Sequence, residues 1–383
     1  MEFLNYSKVS KYIFMKKLIR VNGLESDVLI IDTAGSDVVI RCIPSDLSYN
    51  VLEVRNGIPY IAKVLFFIRL FVRVTQFGVK YKSLISSIVD VINPRVIISF
   101  VDTSLIMGQL SSIFPQKLII SVQNGARLHM GGFHNEKQFL APHYFTFGEY
   151  EKDLLKKYNV KYQSHKAVGS VRFGLFLEKN TRIKDNRSSV CFISQINSSI
   201  NGFKEDGVKR LKSVYSNLIA WNNENERRSI RVAMRNNKND NDYINEVNFF
   251  RLSRGSDIEL VDNVDYSSYR VGCEALVVVT VDSTLGFELF GSGKKVLFFG
   301  ATISDEFLEK ENIDYLFRKM PDIVLLDNLT QQDFDNKMNV LIHMKDEEYL
   351  SQTEAARKYY MKCQKLPPHK TISDFIYDNV LVR

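Results

Sequence analysis

The chain has 383 residues, a formal net charge of +7 and 45% hydrophobic residues. That length and composition imply a globular chain of two domains and exclude a disordered, collagenous or small disulfide-stapled one. The positive balance suits anionic partners such as phosphorylated substrates or an anionic membrane surface. No nucleic-acid partner is expected, because there is no RNP-like aromatic pair, zinc-finger spacing or block of lysine and arginine.

Other exclusions follow from particular residues. Cys42, Cys191, Cys273 and Cys363 form no CxxC pair. They read as reduced packing residues, with neither a zinc site nor a disulfide frame. The apolar stretch Tyr12-Ile13-Phe14-Met15 is too short for a signal-peptide core, and no run approaches the roughly 20 apolar residues of a membrane span. A cytoplasmic protein is expected, peripheral at the inner face of a bacterial cytoplasmic membrane.

In chain order, residues 27–32 (DVLIID) read as a buried strand, followed by a turn with Ser36 as its capping residue. Val38, Val39, Cys42 and Ile43 recur at helical spacing, and residues 49–54 form the next strand. Residues 58–78 read as one basic apolar helix. A core helix with snorkelling Lys63, Arg69 and Arg73 is the favoured reading, with a membrane-interface helix as the alternative. A second helix covers 81–92. Strands at 95–100, 117–122 and 144–147 alternate with helices, and residues 166–172 read as the last strand of this half. Residues 178–189 carry few large apolar side chains and mark a boundary. The second half restarts with a strand at 190–193, a long helix at 205–222 and strands at 230–234 and 258–261. A helix near 266–274, a short strand at 322–326 and helices over 331–363 and 371–380 complete it.

The richest stretch is 277–300 (VVVTVDSTLGFELFGSGKKVLFFG). An apolar β-branched run breaks at Asp282-Ser283-Thr284, a helix follows, and 295–299 is a second buried strand. This is one β-α-β unit with hydroxyls at the carboxyl end of its first strand, where open α/β sheets bind ligands. Ser283 can cap the helix. The free N–H groups of the first turn, with Thr284 and Gly286, suit a phosphate. Glu288, one turn on, is in reach of a ribose hydroxyl pair. Ser194 and Gln195 end another strand of the same half and can line that phosphate site. Arg235 can neutralise a leaving phosphate.

In the first half, Asp102 follows a buried strand and can act as a general base or cap a helix. Gln123, Asn124, Gly125 and Arg127 follow the next strand, where amides and a guanidinium suit hydroxyls and an acid group. Glu149 starts a helix and can be catalytic or favour the helix dipole. His129 and His134 lie in the loop past Arg127 and can serve as a base or touch an acceptor. Asp240-Asn241-Asp242 matches a DxD pattern by chance in a polar loop, so no metal is expected.

The ordered motifs IIDTAGSD, YNVLEVRNG, VIISFVDTS, IISVQNGAR, FTFGEYEKDLL, VGSVR and VVVTVDSTLGFELFGSGKKVLFF resemble a bacterial family of surface carbohydrate biosynthesis proteins. That family is similar to the β-Kdo transferases and, more distantly, to the glycerophosphotransferases of wall teichoic acid synthesis. The resemblance implies an α/β fold of two doubly wound Rossmann-like domains facing a cleft, the GT-B glycosyltransferase architecture. Residues 1–175 would form the acceptor domain and 190–345 the nucleotide-sugar domain, with helices of 346–383 packing back on the first. It implies metal-independent, cofactor-free transfer of a sugar from a nucleotide donor, such as a CMP-activated 2-keto sugar acid (Kdo or another nonulosonate). The acceptor would be a surface polysaccharide or lipid-linked glycan. Two departures stand out. Asn124-Gly125 replaces the His-Gly pair of the glycerophosphotransferases, and no Pro-Gly-Gln segment followed by acidic residues is present. A nucleotide-sugar 2-epimerase and a non-catalytic nucleotide-sugar-binding scaffold are the alternatives.

Overall fold

The computed structural model describes residues 17–55, 57–127, 140–180, 186–196, 205–225, 228–251, 258–300, 307–328, 330–363 and 366–380. The chain folds around two six-stranded sheets. The first contains β2 (Val28–Ile31), β3 (Tyr49–Leu52), β5 (Val96–Ser99), β6 (Leu118–Val122), β7 (Leu140–Thr146) and β8 (Lys161–Ala167). Its order is β3-β2-β5-β6-β7-β8, parallel throughout. The second contains β9 (Asn186–Ile193), β10 (Ser229–Ala233), β11 (Ile258–Val261), β12 (Ala275–Thr280), β13 (Lys295–Phe299) and β14 (Leu325–Leu326). Its order is β11-β10-β9-β12-β13-β14, again parallel. These are two Rossmann-like domains. Strands with helices on both faces must be apolar on both faces, and β2, β5 and β13 are buried at every residue.

Each sheet reverses its order once. In the first the reversal falls between β2 and β5, and in the second between β9 and β12. Crossovers leave in opposite directions from such a pair, which opens a crevice at the strands' carboxyl ends. The two domains also share a core. Phe147, Tyr150 and Phe176 pack in the same apolar cluster as Val190, Val278 and Phe298. Helix Asp346–Tyr360 adds Tyr349, Ala356 and Tyr360 to that cluster. The Pro368–Val380 helix instead places Ile372, Ile376 and Val380 against Val28, Ile98 and Phe145 of the first sheet.

Several local expectations are corrected. Ser36 does not cap its helix; the N-cap is Gly35 at φ 73, and Ser36 is the first helical residue. A Cβ at position 35 would stand 2.1 Å from the Phe100 ring, so glycine is required twice over. Residues 58–78 are not one helix. Gly57–Tyr60 is strand β4, pairing parallel with β1 (Lys17–Arg20), and the helix is Val64–Phe77. Nor is that helix a core helix, since Phe66 is its one buried residue. The segment 166–172 splits into the end of β8 and the start of helix Val171–Lys179, capped by the Ser170 hydroxyl.

Candidate active site

The carboxyl ends of β9 and β12 border a cleft of about 650 Å³, lined also by Ala233 at the end of β10 and by Met234 and Arg235 after it. Asn124, Ala126 and Arg172 of the first domain and Tyr269 of the second also line it. Ser194 and Gln195 line the cleft as well. Gln195 ties the two strand ends together: its Nε2 donates to Asp282 Oδ1 at 2.6 Å, and Asp282 N–H donates back to Gln195 Oε1 at 3.3 Å. Arg210, buried beneath, stands 3.7 Å from Asp282 Oδ2. These contacts fix the turn that launches the Thr284–Gly291 helix.

Ser283 holds the N-cap position of that helix, but its side chain makes no capping hydrogen bond. The expected serine cap is therefore not formed, and Ser283 and Thr284 line the cleft instead. Thr284 Oγ1 accepts from Ala126 N–H at 3.0 Å, so the two domains touch at the helix N-terminus. Gly286 does not reach the cleft. A Cβ there would lie 2.6 Å from Thr280 Cγ2 and 3.1 Å from Phe298 Cε1, so the glycine lets the helix press onto β12 and β13.

Glu288 is the buried acid of the cleft, 2% exposed. Its Oε1 accepts from the Ser170 hydroxyl and from Tyr269 OH, whereas Oε2 is buried with no partner. Burial pushes its carboxyl up to about 7, against the pull of Ser170, Tyr269 and the Arg172 charge. A carboxylate kept one partner short beside an open cleft is suited to a donor from outside the chain. The Arg172 guanidinium sits 5.8 Å from the Phe100 ring centroid. Arg235 exposes its side chain to the cleft, while its backbone N–H donates to Glu246 Oε1 at 2.8 Å.

The first domain departs from expectation in chemistry. The Asp102 side chain is fully buried, ion-paired with Arg127 and accepting from Tyr144 OH. It does not cap the following helix, whose N-cap is Ser104. With both oxygens engaged it has no edge for an acceptor hydroxyl, and it acts as a clamp on Arg127. Asn124 Oδ1 also accepts from Arg127, at 2.6 Å, and the Arg127 carbonyl accepts from Tyr150 OH at 2.8 Å. Gln123 is likewise turned inward. Its Nε2 donates to Gly125 O at 2.8 Å and to Glu151 Oε1 at 2.7 Å, and its Oε1 accepts from Phe147 N–H at 2.7 Å. It therefore shapes the turn and offers nothing to a sugar. Gly125 passes close to the second domain, with room for a Cβ only 3.2 Å from Thr284 Oγ1. Glu149 is exposed at the start of the Tyr150–Lys157 helix and makes no capping bond. His129 and His134 lie outside the described residues.

Five polar cleft residues, Arg172, Asn263, Ser268, Tyr269 and Asp282, carry no site role in the sequence reading. Arg172 stood in the VGSVR motif and Asp282 in the 277–300 stretch, but neither spacing says that the chain turns there toward a second domain. Glu151 is the other omission. It is buried with its carboxyl raised to about 7 by burial, yet in sequence it is one acid among several at a helix start. Among the described residues, no group of three or more His, Cys, Asp or Glu is arranged to hold a metal ion.

Two all-parallel doubly wound domains that meet at a cleft beside a strand-order reversal define a GT-B-type α/β protein. A family model described as "putative O-antigen biosynthesis protein" matches residues 120–366, and the chain belongs to that family. No curated protein matches the chain. Among solved structures it is similar to S. aureus MnaA in complex with UDP, with TM-score 0.56 and 14% identity over 96% of this chain and 98% of that one. It is also similar to the wall teichoic acid polymerase TagF, in a variant soaked with CDPG. There the TM-score is 0.56 and the identity 11%, covering 94% of this chain and 90% of that one. The UDP-GlcNAc 2-epimerase of Neisseria meningitidis bound to UDP-GlcNAc gives TM-score 0.51 and 11% identity, covering 95% and 100%. At such identities the likeness establishes the fold.

Proposed function

We propose that this chain is a glycosyltransferase of surface polysaccharide synthesis that takes its sugar from a nucleotide donor. The observation that carries this reading is Glu288, buried with an unpartnered Oε2 in the cleft, one turn beyond a helix N-terminus flanked by Ser283 and Thr284. The helix N–H groups and the two hydroxyls suit the donor phosphate. Glu288 suits the ribose hydroxyls. Arg172 and Arg235 add positive charge to the same cleft. That supports a donor with an acid group besides its phosphate, such as a CMP-activated 2-keto sugar acid. Residues 1–175 would then carry the acceptor and 190–345 the donor. The family and the UDP- and CDPG-bound structures of similar fold agree with nucleotide-linked chemistry.

In the transfer, the bond from the anomeric carbon to the phosphate oxygen breaks, and an acceptor oxygen bonds to that carbon. The acceptor proton passes to a base, and the nucleotide leaves with the bonding electron pair. Arg235 and the helix N-terminus stabilise the leaving charge. Because Asp102 is enclosed, His129 and His134, next in the chain after Arg127, become the candidates for the base.

An epimerase would need acid and base groups on both sides of the sugar ring. The carboxylates lining the cleft, among the described residues, are Asp282 and Glu288, both on the nucleotide side. The test is incubation with CMP-, CDP- and UDP-sugars, with and without a lipid-linked glycan acceptor. Acceptor-dependent release of free nucleotide is expected. Interconversion of the sugar without release would make the protein an epimerase. Binding without either reaction would make it a scaffold.

A further inference from the structure

The Val64–Phe77 helix faces the wrong way for a core helix. Val64 is 77% exposed and Phe71 71%, and Leu65, Phe67, Ile68 and Val72 are exposed beside them. These six positions follow the i, i+3, i+4, i+7 spacing of one helical face. Val79 and Tyr81 are exposed just past the helix end, and Leu24 lies beside its start, where Lys63 Nζ donates to Gly23 O at 2.6 Å. A contiguous apolar face of this kind marks an interaction surface.

The charges around it decide what covers it. No aspartate or glutamate occurs between Glu53 and Asp90. Arg73 points inward and is paired with Asp90 at 2.8 Å. Arg69 and Lys80 are exposed and pair with no carboxylate among the described residues. A second copy of the chain would set this cation-rimmed face, whose own segment carries no acid, against itself, which like charges oppose. An anionic headgroup layer complements it, with apolar side chains below and cations at phosphate level.

The face also has a place relative to the cleft. Tyr81 lies near Asp32, which follows β2 at the carboxyl edge of the first sheet. Asp102 and Arg127 stand at that same edge, after β5 and β6.

We propose that the outward face of the Val64–Phe77 helix, with Val79 and Tyr81, docks on anionic phospholipid, so that the carboxyl edge of the first sheet meets a lipid-linked acceptor. The helix axis lies in the headgroup plane and its apolar face enters the upper acyl layer. The acceptor part rests on the transferase reading; the docking does not.

The test is co-sedimentation with phosphatidylcholine vesicles, with and without phosphatidylglycerol. The wild type is compared with Phe67→Ser/Phe71→Ser and with Arg69→Gln/Lys80→Gln. The wild type is expected to partition onto the phosphatidylglycerol vesicles and to be released by salt. The double serine variant should lose at least about tenfold in partitioning with an unchanged melting temperature, because both rings are exposed. The glutamine variant should bind several-fold more weakly and with less salt dependence. Equal partitioning of the double serine variant and the wild type overturns the proposal, as does a wild type that ignores both vesicles. A wild-type dimer that the serine substitutions dissociate, without vesicle binding, assigns the face to self-association and also overturns it. Nucleotide calorimetry without vesicles reads the transferase hypothesis separately: vesicle binding with no nucleotide binding removes that hypothesis and leaves the docking.

Discussion

Glu288 and Ser170 meet across the junction of the two domains: the serine hydroxyl donates to Glu288 Oε1, and Oε2 is left buried and unpartnered. Ser170 also caps the helix that follows β8, accepting from Phe173 N–H at 3.2 Å. One carboxylate thus joins the crossover between the sheets to the cleft proposed for the nucleotide.

Replacing Glu288 by alanine should weaken nucleotide binding. A hydrogen bond to a charged group contributes about 1.5–3 kcal/mol, or roughly ten- to a hundredfold in affinity. Titration calorimetry with CMP, CDP and UDP measures it. Unchanged affinity for every nucleotide would remove Glu288 from the ribose.

Burial raises the Glu288 carboxyl from 4.5 to about 7, and that of Glu151 likewise. An acid that holds its proton more tightly when folded stabilises the fold while protonated. Its contribution is fully present below about 4.5 and is lost as pH rises through about 7, on the order of 3 kcal/mol for each group. The melting temperature should therefore fall between pH 5 and 7.5. Glu288→Gln, which cannot ionise, should flatten that fall and be the more stable form at pH 8. A melting profile as steep as wild type in this variant would show that Glu288 ionises freely.

Asp102→Asn should act on stability. The side chain is fully buried and Arg127 is 18% exposed, so the change leaves a guanidinium without its counter-charge. Breaking a buried pair on one side costs about 3–5 kcal/mol. Chemical denaturation should show that loss, and turnover should fall only as far as Arg127 and Asn124 are displaced. A fully stable variant with abolished turnover would restore Asp102 to the chemistry.

Gly286→Ala should destabilise despite alanine's better helix propensity. The new methyl meets Thr280 Cγ2 at 2.6 Å, and a β-branched strand residue cannot withdraw. The overpacking costs about 1–3 kcal/mol. Displacing the helix N-terminus should weaken nucleotide affinity as well, read by the same calorimetry. A variant as stable as wild type would mean that the helix and strand can part without loss.

The parallel sheets were legible because β2 (VLII), the first three residues of β5 (VII) and the last four of β13 (VLFF) are apolar, as two-sided burial demands. The position of Ser283, Thr284 and Glu288 at a cleft was legible for the same reason: an apolar strand precedes them, and open α/β sheets form their crevices at the carboxyl ends of strands. Asp102 and Gln123 misled because the same rule says nothing about which way a side chain turns after the strand. Their partners, Arg127, Tyr144 and Glu151, are assembled by the tertiary fold. The Val64–Phe77 helix misled for another reason. Hydrophobic periodicity identifies an apolar face but is blind to whether protein covers it.

The Pro368–Val380 helix bears on how the protein is made. Arg95 donates to the Val380 carbonyl, 285 positions along the chain, and Ile372 and Ile376 finish one face of the first sheet. During synthesis that face stays uncovered while the whole second domain is translated, so an apolar surface is open to chaperones or to neighbouring chains. A ribosome-bound intermediate stopped after β14 should bind a hydrophobic-surface dye, and release of the remaining residues should quench it.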